Sequence, residues 1–183
     1  AAASYSAIEA IGTGESPIRF LPLAREPWGT LAIIGAREES RLANVFVLHS
    51  TAKPSPPLSA DEHRLVAGPI NGMTFRGMVS VRHATISIAR STFKHAAGDD
   101  ALSVQYGEFT IADSQFLDNS ADALDADFSK GTSTIRRTAF RDSGNDGVDI
   151  DATNAVVEEV VVERSGDKGF SLGVGTELRL VNS

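Results

Sequence analysis

Two pairs of aspartates, Asp125 with Asp127 and Asp149 with Asp151, recur 24 residues apart, and each pair alternates with apolar residues. Leu124 and Ala126 flank the first pair's positions, and Val148 and Ile150 the second's. In an extended strand successive side chains point to opposite faces, so apolar residues turned inward leave the aspartates outside. If the two segments stack in register, Asp125 lies over Asp149 and Asp127 over Asp151, with four carboxylates roughly 5–7 Å apart. Asp100, Asp122 and Asp146 would form a second file at the adjoining bend.

Like charges so close repel, which predicts raised carboxyl pKa values or a bound cation. Calcium is the natural cation, because it accepts several carboxylate oxygens in flexible geometry; its ligands would be Asp125, Asp127, Asp149 and Asp151. The same four residues are candidate catalytic carboxylates, with Arg137 as a nearby base. The plainer alternative is a solvated acidic face neutralised by Lys130, Arg136, Arg137 and Arg141, with turn aspartates capping their own backbone.

What positions these residues is a repeat. Asp99-Asp100-Ala101-Leu102-Ser103-Val104, Ala121-Asp122-Ala123-Leu124-Asp125-Ala126, Asn145-Asp146-Gly147-Val148-Asp149-Ile150 and Asp167-Lys168-Gly169-Phe170-Ser171-Leu172 share one pattern: small, large apolar, polar, apolar. Their small residues, at 101, 123, 147 and 169, are spaced 22, 24 and 22 apart. Such a period means stacked units, because one unit alone cannot bury its apolar face. Before each copy come further strand signals that end on a bulky residue: Ile86 and Ile88 before Phe93, Phe109 and Ile111 before Phe116, Ile135 before Phe140, Val156 and Val157 before Val162. Each period therefore holds about three short strands and no helix. Gly77-Met78-Val79-Ser80-Val81 and Trp28 to Ile33 repeat the pattern upstream, with Leu42 and Val47 at matching offsets.

These features predict an all-β fold, a single-stranded right-handed parallel β-helix of about six turns, with residues 1–183 as one domain. Within it, 1–27 is a lead-in and 51–67 a proline-bearing loop excursion. Phe93, Phe116 and Phe140 should pile into one interior file, and Leu102, Leu124, Val148 and Phe170 into another. The last turn looks unfinished at Thr176 to Val181, so this end is expected to be truncated, to adjoin another domain or to self-associate.

The 183 residues are 42% hydrophobic and 22% charged, close to an ordinary globular domain. A net charge of -7 excludes the basic stripe that nucleic-acid binding needs. No apolar run is long enough for a membrane-spanning helix, and without cysteine there is no disulfide or thiol chemistry. The four histidines, His49, His63, His83 and His95, have no metal-ligand spacing and are expected at the surface or in turns. Trp28 is either a sugar-stacking platform or a packing residue near the first turn.

From Gly72 to Gly173 the chain resembles the right-handed parallel β-helix repeat proteins of the pectate-lyase-like superfamily, and most of all an uncharacterised bacterial subgroup. The residues that carry the likeness are Gly98 to Leu102, Asp122 to Gly131, Gly144 to Asp149 and Gly166 to Ser171. The resemblance implies a surface or cell-envelope protein, extracellular or periplasmic. It also implies either a non-catalytic structural or carbohydrate-binding module, cation-assisted and with an acidic polysaccharide as partner, or a lyase or glycosidase. The Asn-Thr-Asp, His-Gly and Arg-Ile-Lys elements of polygalacturonases are missing, and no lyase signature surrounds Arg136, Arg137 or Arg164. A shared fold does not transfer an activity. A repeat spacer that supports a neighbouring domain is the third expectation.

Overall fold

Three short strands per period are what the alternating apolar residues specify. The structure, a computed structural model, describes residues 7–23, 27–50 and 75–183. In the first turn β1 (Glu9–Ile11), β2 (Ile18–Phe20) and β3 (Leu31–Ile34) follow one another. The second turn holds β4 (Ser40–Ala43), β5 (Val45–Leu48) and β6 (Val79–Arg82). The third has β7 (Ile86–Ala89), β8 (Thr92–Lys94) and β9 (Leu102–Gln105), and the fourth β10 (Phe109–Ala112), β11 (Gln115–Asn119) and β12 (Leu124–Asp127). In the fifth are β13 (Thr132–Arg136), β14 (Ala139–Ser143) and β15 (Val148–Asp151). The sixth has β16 (Asn154–Glu158), β17 (Val161–Glu163) and β18 (Phe170–Leu172), after which β19 (Leu178–Val181) opens another turn.

Each strand from β1 to β16 pairs in parallel with the strand three places on, giving a first sheet β1-β4-β7-β10-β13-β16-β19, a second from β2 to β17 and a third from β3 to β18. The result is an all-β parallel solenoid of about six turns, with no helix among the described residues. The segment expected as a lead-in supplies strands of its own: β1 pairs with β4 and β2 with β5. The excursion over 51–67 and His63 lie outside the described residues.

Inside the coil, like residues meet like. Phe93, Phe116 and Phe140 stack with ring centroids 4.7 and 5.0 Å apart and are fully buried; Val47 and Val162 extend the file. Leu31, Val79, Leu102, Leu124, Val148 and Phe170 form the file of the third sheet. Leu42, Ile88, Ile111, Ile135 and Val157 form that of the first. Each fully buried side chain of this size contributes roughly 1.5–3 kcal/mol.

The corners explain how three flat sheets close into a coil. The residue after a strand sits in the left-handed region, φ 51° at His83, 56° at Tyr106, 58° at Phe128, 52° at Asp113 and 45° at Arg137. Such a conformation costs a non-glycine residue roughly 1–2 kcal/mol. Here it turns the chain without breaking the ladder, because the corner N–H still donates to a carbonyl of the next turn. Tyr106 bonds to Asp127 at 2.9 Å and Phe128 to Asp151 at 3.0 Å. Stacked corners consequently carry their side chains outward in files of their own.

Candidate functional site

The outer face of the third sheet is where the four aspartates meet. The register pairs Asp125 with Asp149 and Asp127 with Asp151, as the alternation predicts. Toward the amino-terminal end the files continue as Ser103 and Ser80 above Asp125, and as Gln105 and Arg82 above Asp127. A polar chain runs along the second file. Arg82 donates to Gln105 Oε1, and Gln105 Nε2 donates to Asp127 Oδ2 at 3.2 Å.

Burial decides how these carboxyls behave. Asp125 lies in a recess, and loss of solvent, reinforced by the charges of Asp127 and Asp149, raises its carboxyl to about 7. Burial also raises Asp127, against the hydrogen bond from Gln105, and Asp149, against that from Ser171. Behind Asp125 stands Asp100, only 2% exposed, with no donor for its Oδ2. Burial and the neighbouring charges of Asp99 and Asp125 push Asp100 well above the ordinary carboxyl range, and it is hydrogen bonded to Asp125. Two carboxyls so placed share a proton instead of both ionising.

The second aspartate file divides by role. Asp122 Oδ1 accepts from the Asp146 N–H at 2.7 Å and from Asn145 Nδ2 at 2.8 Å. Asp146 Oδ1 in turn accepts from the Lys168 N–H at 2.7 Å. Both cap the backbone of the following turn, 24 and 22 residues on, and not their own backbone as the local reading of turn aspartates expected.

Among the described residues none of the four face carboxylates has an ion-pair partner; the existing pairs lie on other edges of the coil. Arg137 belongs to the corner between the first and second sheets, the one that does not border the acidic face. There its guanidinium donates to both oxygens of Asp113, at 2.6 and 3.0 Å. Arg141 pairs with Glu163 at 2.9 Å and Arg164 with Asp142 at 2.6 Å. So Arg137 and Arg141 do not neutralise the face, and Arg137 is not placed as its base. Arg76 is the basic neighbour whose charge acts on Asp127. The carboxylates run in two files, and no group of three acidic or histidine side chains among the described residues is arranged to hold a metal ion.

An aromatic ladder borders this face. His83, Tyr106 and Phe128 occupy successive corners directly after Arg82, Gln105 and Asp127. Ring centroids are 4.8 Å apart from His83 to Tyr106 and 5.1 Å from Tyr106 to Phe128, with planes within 12° and 15° of parallel. Tyr106 is 43% and Phe128 47% exposed. Beyond the ladder, away from the aspartates, a surface recess of about 190 Å³ is lined by His83, Tyr106, Glu108 and Lys130. Ala152 takes the next corner, so the ring file stops at Phe128. The ladder was legible as a spacing, 23 residues from His83 to Tyr106 and 22 to Phe128, but strand alternation draws attention away from the residue just past each strand.

The other singled-out residues are structural. His49 and His95 stack at 4.6 Å on the corner after the second sheet. Trp28 packs 6.3 Å from Phe20 and its indole donates to the Leu48 carbonyl at 2.8 Å, which is the packing role near the first turn.

Comparison with known proteins leaves this geometry to stand alone: no family model, curated protein or solved structure matches the chain.

Proposed function

We propose that this chain is a glycan-binding β-helix module of the pectate-lyase-like superfamily, carried by a surface or cell-envelope protein. The observation behind this reading is the exposed ladder of His83, Tyr106 and Phe128 alongside the file Arg82–Gln105–Asp127–Asp151. A sugar presents apolar C–H patches and a rim of hydroxyls. Aromatic surface beside fixed amide and carboxylate groups meets both needs. Because the rings stack on one another, a sugar has their edges and the outer face of Phe128 to pack on. A polymer laid along the coil axis meets a ring and a polar side chain at each of three successive turns, which a single sugar does not. Calcium assistance is the competing form of this proposal, in which an ion bridges the face and an acidic ligand.

The test is binding of a panel of neutral, basic and acidic oligosaccharides by calorimetry, with and without calcium. Tyr106→Ala combined with Phe128→Ala should weaken binding about tenfold or more with the melting curve preserved. Binding that survives the double substitution unchanged would place the ligand elsewhere. Binding that requires calcium and vanishes in Asp149→Ala would support the assisted form.

A second reading is a glycan-cleaving enzyme, favoured by Asp125. A carboxyl raised by burial to about 7, with Asp149 in register beside it, could serve as the acid of an acid–carboxylate pair. Asp149 faces Asp125 from the adjacent strand and is the candidate partner carboxylate. Product release from the same panel, abolished in Asp125→Asn, would establish it.

A further inference from the structure

The acidic face makes a statement about ligand charge, resting on the glycan reading above. We infer that the face takes a cationic glycan, an oligomer of amino sugars with free ammonium groups, and not an acidic polysaccharide. Asp125, Asp127, Asp149 and Asp151 stand in two adjacent files with no ion-pair partner among the described residues. Behind them Asp100 is buried with an oxygen that no donor satisfies, hydrogen bonded to Asp125. The guanidinium groups of Arg137, Arg164 and Arg141 are committed to Asp113, Asp142 and Glu163 on the second sheet and its corners. Arg82 donates to Gln105 in the file of Asp127, and the charge of Arg76 acts on Asp127. A polyuronate laid here meets like charge, and rejection by like charge is as effective a source of specificity as attraction.

The end of the ring ladder supplies the second half of the site. Phe128 has a ring on its Tyr106 side and only the small Ala152 at the next corner, so part of its other face overhangs open space. Asp127 precedes Phe128 and Asp151 precedes Ala152, in register with each other. A glycosyl ammonium seated over Ala152 meets an aromatic face and two carboxylates together. Cation–π attraction and charge pairing then act on one group. An N-acetylated sugar keeps the stacking and loses the charge. A uronate keeps the stacking and meets repulsion.

The experiment compares three short oligomers of equal length by calorimetry near neutral pH: glucosamine, N-acetylglucosamine and galacturonate. The glucosamine oligomer should bind about tenfold or more tighter than its acetylated counterpart. That margin should shrink between about 0.05 M and about 0.5 M salt. Asp127→Asn with Asp151→Asn should erase the margin by weakening the glucosamine oligomer far more than its acetylated counterpart, and Phe128→Ala should weaken both. Equal binding of the two amino-sugar oligomers, or tighter binding of galacturonate without calcium, overturns the charge inference and leaves the glycan reading intact. Failure of all three to bind a protein with native circular dichroism overturns both.

Discussion

Asp125 and Asp100 set the acid–base behaviour of this molecule. Burial raises Asp125 from 3.8 to about 7, and it raises Asp100 in the same direction. A carboxyl whose pKa is raised by folding favours the native state only while protonated. Its contribution is whole below the ordinary value and disappears as pH climbs through the folded one. Asp122, Asp127 and Asp149 are raised as well and act with the same sign. Opposed to them, Asp113, Asp142 and Glu163 are lowered by hydrogen bonds from Arg137, Arg164 and Arg141. Those pairs are solvent-exposed and contribute little. The melting temperature should therefore fall between about pH 4 and about pH 8. Asp125→Asn should flatten that fall and melt above the parent at the alkaline end. A parent whose stability rises across this window would refute the assignment of Asp125.

At the scale of the element, each strand is too short to stand alone, and the files across strands hold it. Phe116 sits between Phe93 and Phe140, fully buried. Phe116→Ala removes two ring contacts and leaves a cavity, a loss of roughly 3–5 kcal/mol in urea unfolding. Hydroxyl files perform a quieter task at the corner after the first sheet. Ser91 Oγ donates to the Ala89 carbonyl at 2.8 Å, and Ser114 Oγ to that of Ala112 at 2.7 Å. The Ser114 hydroxyl also accepts the Ser91 N–H at 3.1 Å, so a buried polar group is fully used. Gly144 marks a close approach between turns: a Cβ there would lie 2.1 Å from the Ser120 carbonyl oxygen. Gly144→Ala should consequently destabilise the coil even though the residue is exposed to solvent.

Over the whole molecule, stability is a sum over neighbouring turns, since each turn touches only the one before and the one after. Protection against hydrogen exchange should peak in β7 to β15, where both neighbours are present. It should decline toward β1 and β2 at one end and β18 and β19 at the other. Uniform protection would mean that the ends are held by something besides turn-to-turn bonds. The apolar residues agree with this gradient: Phe116 and Leu124 are fully buried, whereas Ile11, Leu172 and Leu180 are about half exposed. Charge is also distributed by edge. Alternating Asn44, Arg90, Asp113, Arg137 and Glu159 line one corner, and four aspartates without an ion-pair partner among the described residues line β12 and β15 of the third sheet.

Alternation and period, both written in residue type, determined the solenoid, the phenylalanine file and the pairing of Asp125 with Asp149 and of Asp127 with Asp151. They suffice because a strand's two faces and a fixed repeat leave one register that buries every large apolar side chain. Tertiary structure alone decided which side chains the corners carry outward, because the sign of φ at His83, Tyr106 or Arg137 is imposed by the closing of the coil and not by residue type. It also sent Arg137 to Asp113 and away from the acidic face, and it set Asp100 behind Asp125. Solvent exclusion and the distance between charges govern the chemistry of that face, and both come into being only when successive turns are stacked.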